Sequence, residues 1–357
     1  VSQRIYLDHA ATTPLLASAR DAIADGFARW ANPSSPHAEG RAAKAALEKA
    51  RGAVTAAYGW SGEVLFTSGA SESLSIALTR SAVERRLASA VEHDAVLRAT
   101  YDVALVPVGA VGIVDDAALE AAMAGGGRAV VAIQWCNSET GIRQPVAALA
   151  VRVHAAGHLL LVDAAQMPAG GDRDVVRHAD FVALSAHKRG GPIGVGALLV
   201  RDLATLDPTG GQERGYRPGT ENMPGILGYA AALAEPEDVA KYAELRAFLD
   251  NGVKASGGEL VLASGARHPA IGSYRMPGVS STTQLIRFDM AGIAVSAGSA
   301  CASGSMKPSH VLTAMGWDAQ ASQEVVRVSF GRSTSQADLE AFLKVWREIA
   351  GGRAQAA

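Results

Sequence analysis

Lys188 is the side chain with the most chemistry open to it. It follows the apolar run Phe181-Val182-Ala183-Leu184 through Ser185-Ala186-His187, and Gly190-Gly191-Pro192 comes soon after. A lysine at the mouth of a buried strand loses hydration, and desolvation favours the neutral amine. A neutral amine forms Schiff bases with carbonyl compounds. A structural ion pair is the other use of the same position. Cys301 is the second candidate. It lies in Ser296-Ala297-Gly298-Ser299-Ala300-Cys301-Ala302-Ser303-Gly304-Ser305, a small-residue stretch that reads as an exposed loop. A thiol kept exposed is open to reaction, which points to use as a nucleophile. Cys136, beside Trp135 at a strand end, reads as a buried small hydrophobe.

Three further positions bear on the same chemistry. Asp163 ends the run Leu159-Leu160-Leu161-Val162, where a carboxylate needs a positive partner. The protonated ring nitrogen of pyridoxal phosphate is one such partner, and the pairing keeps that ring an electron sink. Capping of the next helix is the alternative. Ser68-Gly69-Ala70-Ser71-Glu72-Ser73 joins a strand to a helix, and its amides and hydroxyls suit a phosphate as well as an ordinary helix cap. His93 closes Ala90-Val91-Glu92; it is either structural or a ring able to stack on a planar cofactor and move protons. No Walker loop is present, and no GxGxxG follows the first strand, which disfavours a nicotinamide dinucleotide.

These residues must be positioned by an alternating fold. Val64–Thr67, Ala129–Ile133, Leu159–Val162 and Phe181–Leu184 are short and unalternating, as strands buried on both faces are. Between them the pattern predicts helices from Ala38 to about Tyr58, Ser71 to about Leu87, Asp116 to about Ala124, and Val146 to about Ala156. Strand–helix alternation implies an α/β fold, a mostly parallel sheet with ligands at the strands' carboxyl ends. The alternation stops after Gly196–Val200. A long helical region begins near Met223, with a break expected at Glu235-Pro236-Glu237-Asp238. The remainder reads as a smaller domain whose edge the first dozen residues join.

Composition narrows the class. Of 357 residues, 48% are hydrophobic and 19% charged, so the chain is globular rather than disordered. A net charge of −2 without basic blocks argues against nucleic acid as the main partner. Two cysteines make no disulfide framework and have no zinc-ligand spacing, so no metal is expected. No signal peptide and no membrane span are evident, and the expected compartment is the cytoplasm.

The motifs together resemble the cysteine desulfurases of the class V aminotransferase family, in the branch that feeds iron–sulfur cluster assembly. The resemblance runs from Tyr6-Leu7-Asp8-His9-Ala10-Ala11-Thr12-Thr13-Pro14 to Val326-Arg327-Val328-Ser329-Phe330-Gly331-Arg332. Between these lie Asn32-Pro33-Ser34-Ser35, Phe66 to Ser73, Val162 to Gln166, Ser185 to Lys188, and Arg217-Pro218-Gly219-Thr220-Glu221-Asn222. It implies a fold-type I pyridoxal-phosphate transferase. A large cofactor-binding domain, residues 15–247, would carry a mostly parallel seven-stranded sheet. Residues 1–14 and 248–357 would form a smaller α+β domain with the cysteine loop. It implies that L-cysteine is converted to L-alanine, with the sulfur held as a persulfide on Cys301 for an acceptor protein. Lys188 would hold the cofactor and move the Cα proton. Asp163 would pair with the ring nitrogen, Gln166 would reach the ring hydroxyl, and His93 would stack on the ring as acid–base. Ala70, Ser71, Ser185 and His187 would hold the phosphate, joined by Thr220 from the second subunit of a homodimer. Arg327 would clamp the substrate carboxylate, with Asn32 and Asn137 nearby.

Two positions depart from the family's pattern. Ser138 stands where a second asparagine is usual at a cofactor or substrate contact, and Ile193 replaces a lysine. Selenocysteine lyase, another class V aminotransferase activity, and a catalytically weak sulfur-transfer partner are the competing readings.

Overall fold

The computed structural model describes residues 4–262, 265–298 and 308–352; Cys301 lies outside them. Twelve strands occur among the described residues: β1 Ile5–Tyr6, β2 Glu63–Thr67, β3 Arg85–Ser89, β4 Val103–Val106, β5 Ala129–Gln134, β6 Leu159–Asp163, β7 Phe181–Ser185, β8 Gly196–Val200, β9 Glu259–Leu260, β10 Ile271–Arg275, β11 Ile293–Ala294 and β12 Val325–Ser329. Seven of them form one sheet in the order β2-β8-β7-β6-β5-β3-β4. Only β8 runs against its neighbours.

Every residue of β5 to β8 is buried, which accounts for their unalternating sequences. Successive side chains still divide between two cores. Leu160, Val162, Val182 and Leu184 pack with the helices Ala38–Tyr58, Val146–Ala155 and Met223–Leu233. Leu159, Leu161, Phe181 and Ala183 pack with the helix Ala70–Arg80. The expected α/β class and mostly parallel sheet are therefore present.

One sequence expectation fails. The helix expected to reach Leu87 ends at Arg80, and Arg85 to Ser89 form β3 inside the sheet. Two arginines hid the strand. Their charges leave the core by bonding to carbonyls: Arg85 to Ala122 and Met123, and Arg86 to Leu78. The break near Pro236 is where it was expected. One helix spans Met223–Leu233 and the next Val239–Ala255.

The rest of the chain builds a second core. β12, β10 and β9 form an antiparallel sheet, and β1 pairs with β11. The helices Val239–Ala255 and Gln336–Gly352 cover it, with Trp346, Phe342, Phe288 and Val326 buried between them. Phe288 and Phe342 stack at 4.6 Å between ring centroids.

Candidate active site

Sheet polarity gathers the polar strand ends. β2, β6 and β7 run the same way, so Ser68, Asp163 and Ser185 emerge at one edge. A cavity of about 450 Å³ opens there, within the range of small-molecule sites. Lys188, Asp163, Gln166 and His93 line it. Ala70, Ser71, Ser185 and His187 form one end, and Asn137, Ser138 and Arg327 stand on the wall. Asn32 and Thr220 do not line this cavity; both are exposed.

The turn after β2 depends on close backbone packing. Gly69 adopts φ 156°, a region open to glycine and costly for other residues. A Cβ on Gly196 would lie 2.6 Å from the Cα of Gly69 and 2.5 Å from the Leu184 carbonyl oxygen. The turn therefore rests directly on β8. Thr67 Oγ1 and Ser73 Oγ, 2.9 Å apart, close it from inside.

The Lys188 segment is clamped by the start of the chain. The Thr13 amide donates to the His187 carbonyl at 2.9 Å, and Thr13 Oγ1 donates to the Lys188 carbonyl at 3.2 Å. His187 Nδ1 lies 3.1 Å from Thr12 Oγ1. Burial, then the Lys188 and Arg189 charges, push His187 down to about 4, so its ring is neutral near pH 7. Gln166 is held the same way, its Nε2 donating to the Ala10 carbonyl at 2.9 Å.

His93 caps the short helix Asp94–Leu97, with Nδ1 accepting from the Ala95 amide at 3.1 Å. The neutral ring therefore carries its proton on Nε2. Burial and then the Lys188 charge lower its pKa, which favours that neutral form. Asp163 is 8% exposed, and its Oδ1 accepts from the Ala165 amide at 3.0 Å. Arg327 reaches the wall from β12 and donates to the Ser138 carbonyl at 2.9 Å and to Asp8 Oδ1 at 2.6 Å.

Asn137 is otherwise engaged. Its Oδ1 accepts from the amides of Glu139 and Thr140, and its Nδ2 donates to the Val91 carbonyl. Cys136 is buried, and desolvation pushes its thiol up to about 12, which makes it a poor nucleophile.

Some wall residues went unread in the sequence. Glu92 is fully buried beside His93, with Oε1 accepting from the Gln134 amide at 2.8 Å. Burial, reinforced by Asp163, raises its carboxyl well above the usual range. Its signal was adjacency to His93. His310 Nε2 lies 2.8 Å from the Glu92 carbonyl oxygen, and Ser309 Oγ donates to Glu139 Oε2 at 2.6 Å. These contacts join segments far apart in sequence and had no local signal.

The arrangement suits a planar, phosphate-bearing carbonyl compound. An amine, a buried carboxylate and a hydroxyl-rich turn share one cavity. Comparison with known proteins agrees. Residues 5–342 match the model of the family described as aminotransferase class-V. The chain belongs to the class-V aminotransferase family. A cysteine desulfurase of Rhodobacter capsulatus is 38% identical, over 97% of this chain and 96% of its own. The crystal structure of a NifS-like protein from Rickettsia africae superposes with a TM-score of 0.87 at 27% identity, over 97% of this chain and 99% of that one. A structure described as SspA in complex with cysteine gives 0.75 at 27% identity, over 93% of this chain and all of that one. Class-V aminotransferases use pyridoxal phosphate, and the donors on the cavity wall fit it: Asp163 for a ring cation, Lys188 for the carbonyl, and the Ser68–Ser71 turn for the phosphate.

Proposed function

We propose that this class-V aminotransferase is a cysteine desulfurase that passes the sulfur of L-cysteine to Cys301. The observation that carries the reading is the sharing of one cavity by Lys188, Asp163 and Arg327, in a chain whose relatives are cysteine desulfurases. Pyridoxal phosphate supplies, when bound, a carbonyl for amines and an electron sink for the substrate's Cα. Lys188 holds the cofactor and then carries the Cα proton at Nζ. Arg327 binds the substrate carboxylate, and its bonds to Asp8 and Ser138 orient the guanidinium beforehand. His93 moves a proton at Nε2, which its cap to Ala95 leaves protonated. Cys301 attacks the substrate sulfur. The S–S bond forms as the C–S bond breaks, and alanine leaves with the hydrogen that replaces sulfur on Cβ.

The outer residues fit a homodimer. Thr220 is exposed and away from its own cavity, a placement suited to the phosphate end of a second subunit's site. Residues 15–247 are read as the cofactor-binding domain, and 1–14 with 248–357 as the smaller one. The persulfide's acceptor is read as a protein.

The test is turnover of L-cysteine by wild type, Lys188→Ala and Cys301→Ala, measuring sulfide and alanine and mapping persulfide by mass spectrometry. Wild type should release alanine and carry persulfide on Cys301, and both variants should lose it. Alanine formation indifferent to Cys301, or persulfide on Cys136 alone, would overturn the assignment.

A further inference from the structure

β2 is an edge strand, paired with β8 on one side only. Its other edge is capped by side chains instead of a strand. Arg51 Nη1 donates to the Val64 carbonyl, and Glu213 Oε2 accepts from the Phe66 amide at 2.9 Å. The two side chains meet at 2.7 Å, with Arg51 7% and Glu213 3% exposed. A buried guanidinium–carboxylate pair thus serves as the strand's neighbour just before the Thr67-Ser68-Gly69 turn.

Glu213 reaches that place from an unfavourable backbone. Glu213 and Arg214 have φ of 46° and 58°, the only side-chain-bearing residues with positive φ among those described. Two such residues in succession are sterically disfavoured and persist only where contacts enforce them. Arg214 pairs with Glu63 at the start of β2. Arg217 Nε donates to Glu72 Oε1 at 2.8 Å, and Glu72 in turn accepts from the Ser68 amide. Ser34 Oγ donates to Gln212 Oε1 at 2.9 Å. Residues 212–217 therefore grip β2 along its length and, through Glu72, the Ser68–Ser71 turn, and the chain then leads on to Thr220.

We propose that Glu213 is a positioning residue: with Arg51 it fixes the end of β2 and so holds the Ser68–Ser71 turn in register for the cofactor's phosphate. The proposal rests on the reading of this cavity as a pyridoxal-phosphate site. In Glu213→Gln one oxygen can still accept from the Phe66 amide, but Arg51 loses its counter-charge, and an amide NH2 replaces one of the two oxygens that face its guanidinium. The turn then has to be ordered by the ligand, which weakens binding.

The experiment is titration of cofactor-depleted wild type, Glu213→Gln and Arg51→Lys with pyridoxal phosphate, followed by absorbance, with melting temperatures alongside. Glu213→Gln should raise the dissociation constant about tenfold or more. Its kcat at saturating cofactor should stay within about twofold of wild type, since Glu213 is remote from the reacting atoms. Arg51→Lys keeps the charge but cannot bridge Val64 and Glu213 with one planar fork, so it should weaken binding in the same direction. It also serves if Glu213→Gln does not fold. Lower melting temperatures with unchanged dissociation constants would overturn the positioning role. Failure of wild type to bind pyridoxal phosphate would overturn the underlying reading instead.

Discussion

Arg327 Nη2 and Asp8 Oδ1 meet at 2.6 Å across 319 residues of sequence. The pair brings the strand β12, whose Arg327 lines the cavity, against the segment just past β1. Arg327 is 6% exposed, and its other arm is held by the Ser138 carbonyl. A guanidinium fixed at both ends recognises a carboxylate by geometry as well as charge. Arg327→Lys should therefore raise KM for cysteine by about 10- to 100-fold, with a smaller effect on kcat. Asp8→Asn, which keeps an acceptor but removes the charge, should give an intermediate rise. Steady-state kinetics decide this, and an unchanged KM in Arg327→Lys would remove Arg327 from substrate binding.

Glu92 should behave as a neutral acid. Burial raises its carboxyl, the Asp163 charge adds to this, and the bond from the Gln134 amide only partly opposes both. The unfolded chain releases this proton near pH 4.3. Above that pH the native state binds more protons than the unfolded state, so stability falls as pH rises toward the native pKa. Glu92→Gln keeps the shape and the acceptor for Gln134 but never ionises. Its melting temperature should match or exceed wild type at pH 8, and the gap should narrow toward pH 5. A variant less stable than wild type at pH 8 would mean that Glu92 is charged in the fold.

The cleft was more legible than its supports. Lys188 and Asp163 could be read because each ends a run of buried apolar residues, which marks a strand's carboxyl end. Ser68 to Ser71 could be read because glycine and hydroxyls cluster between a strand and a helix. β3 could not, because Arg85 and Arg86 mask a buried strand until their carbonyl partners are known. Nor could Asp8 with Arg327, or Glu213 with Arg51, since each pair meets only through the folded topology. Asn137 had the right type for substrate contact, but its amide is spent on the turn that carries it.

Acid should destabilise the protein through its buried histidines. His268 is 3% exposed, and burial, then the Arg189 charge, lowers it to about 3. An unfolded histidine takes up a proton near pH 6.5, while His268 in the fold stays neutral. The unfolded state thus binds more protons below that pH, and stability is lost as pH falls from about 6.5 toward 3. His268 alone should cost about 2 kcal/mol between pH 6.5 and 5. His268→Asn retains an acceptor for the Ala270 amide, which Nδ1 now caps at 3.0 Å. Melts by circular dichroism at pH 7, 6 and 5 should show a shallower pH slope for this variant than for wild type, whatever its absolute stability. Parallel slopes would assign the acid sensitivity elsewhere, with His9 and His187, both lowered to about 4, the next groups to replace.

Asn137 separates structural from substrate roles on the same wall. Its side chain joins the segment after β5 to the Val91 carbonyl and organises the turn through Thr140. The residue is buried, so truncation strands the Glu139 and Thr140 amides without this partner and leaves the Val91 carbonyl with its bond from Gln134 Nε2. Asn137→Ala should cost about 2–4 kcal/mol of stability, the scale of several buried hydrogen bonds lost together. Ser138 presents its carbonyl to Arg327, so, with Arg327 as the proposed carboxylate clamp, the damage should also raise KM. Ser138→Ala leaves that carbonyl in place and should change stability by less than about 0.5 kcal/mol. Chemical denaturation gives the first quantity and steady-state kinetics the second. An Asn137→Ala protein of wild-type stability but with raised KM would show that its amide contacts the substrate and not the turn.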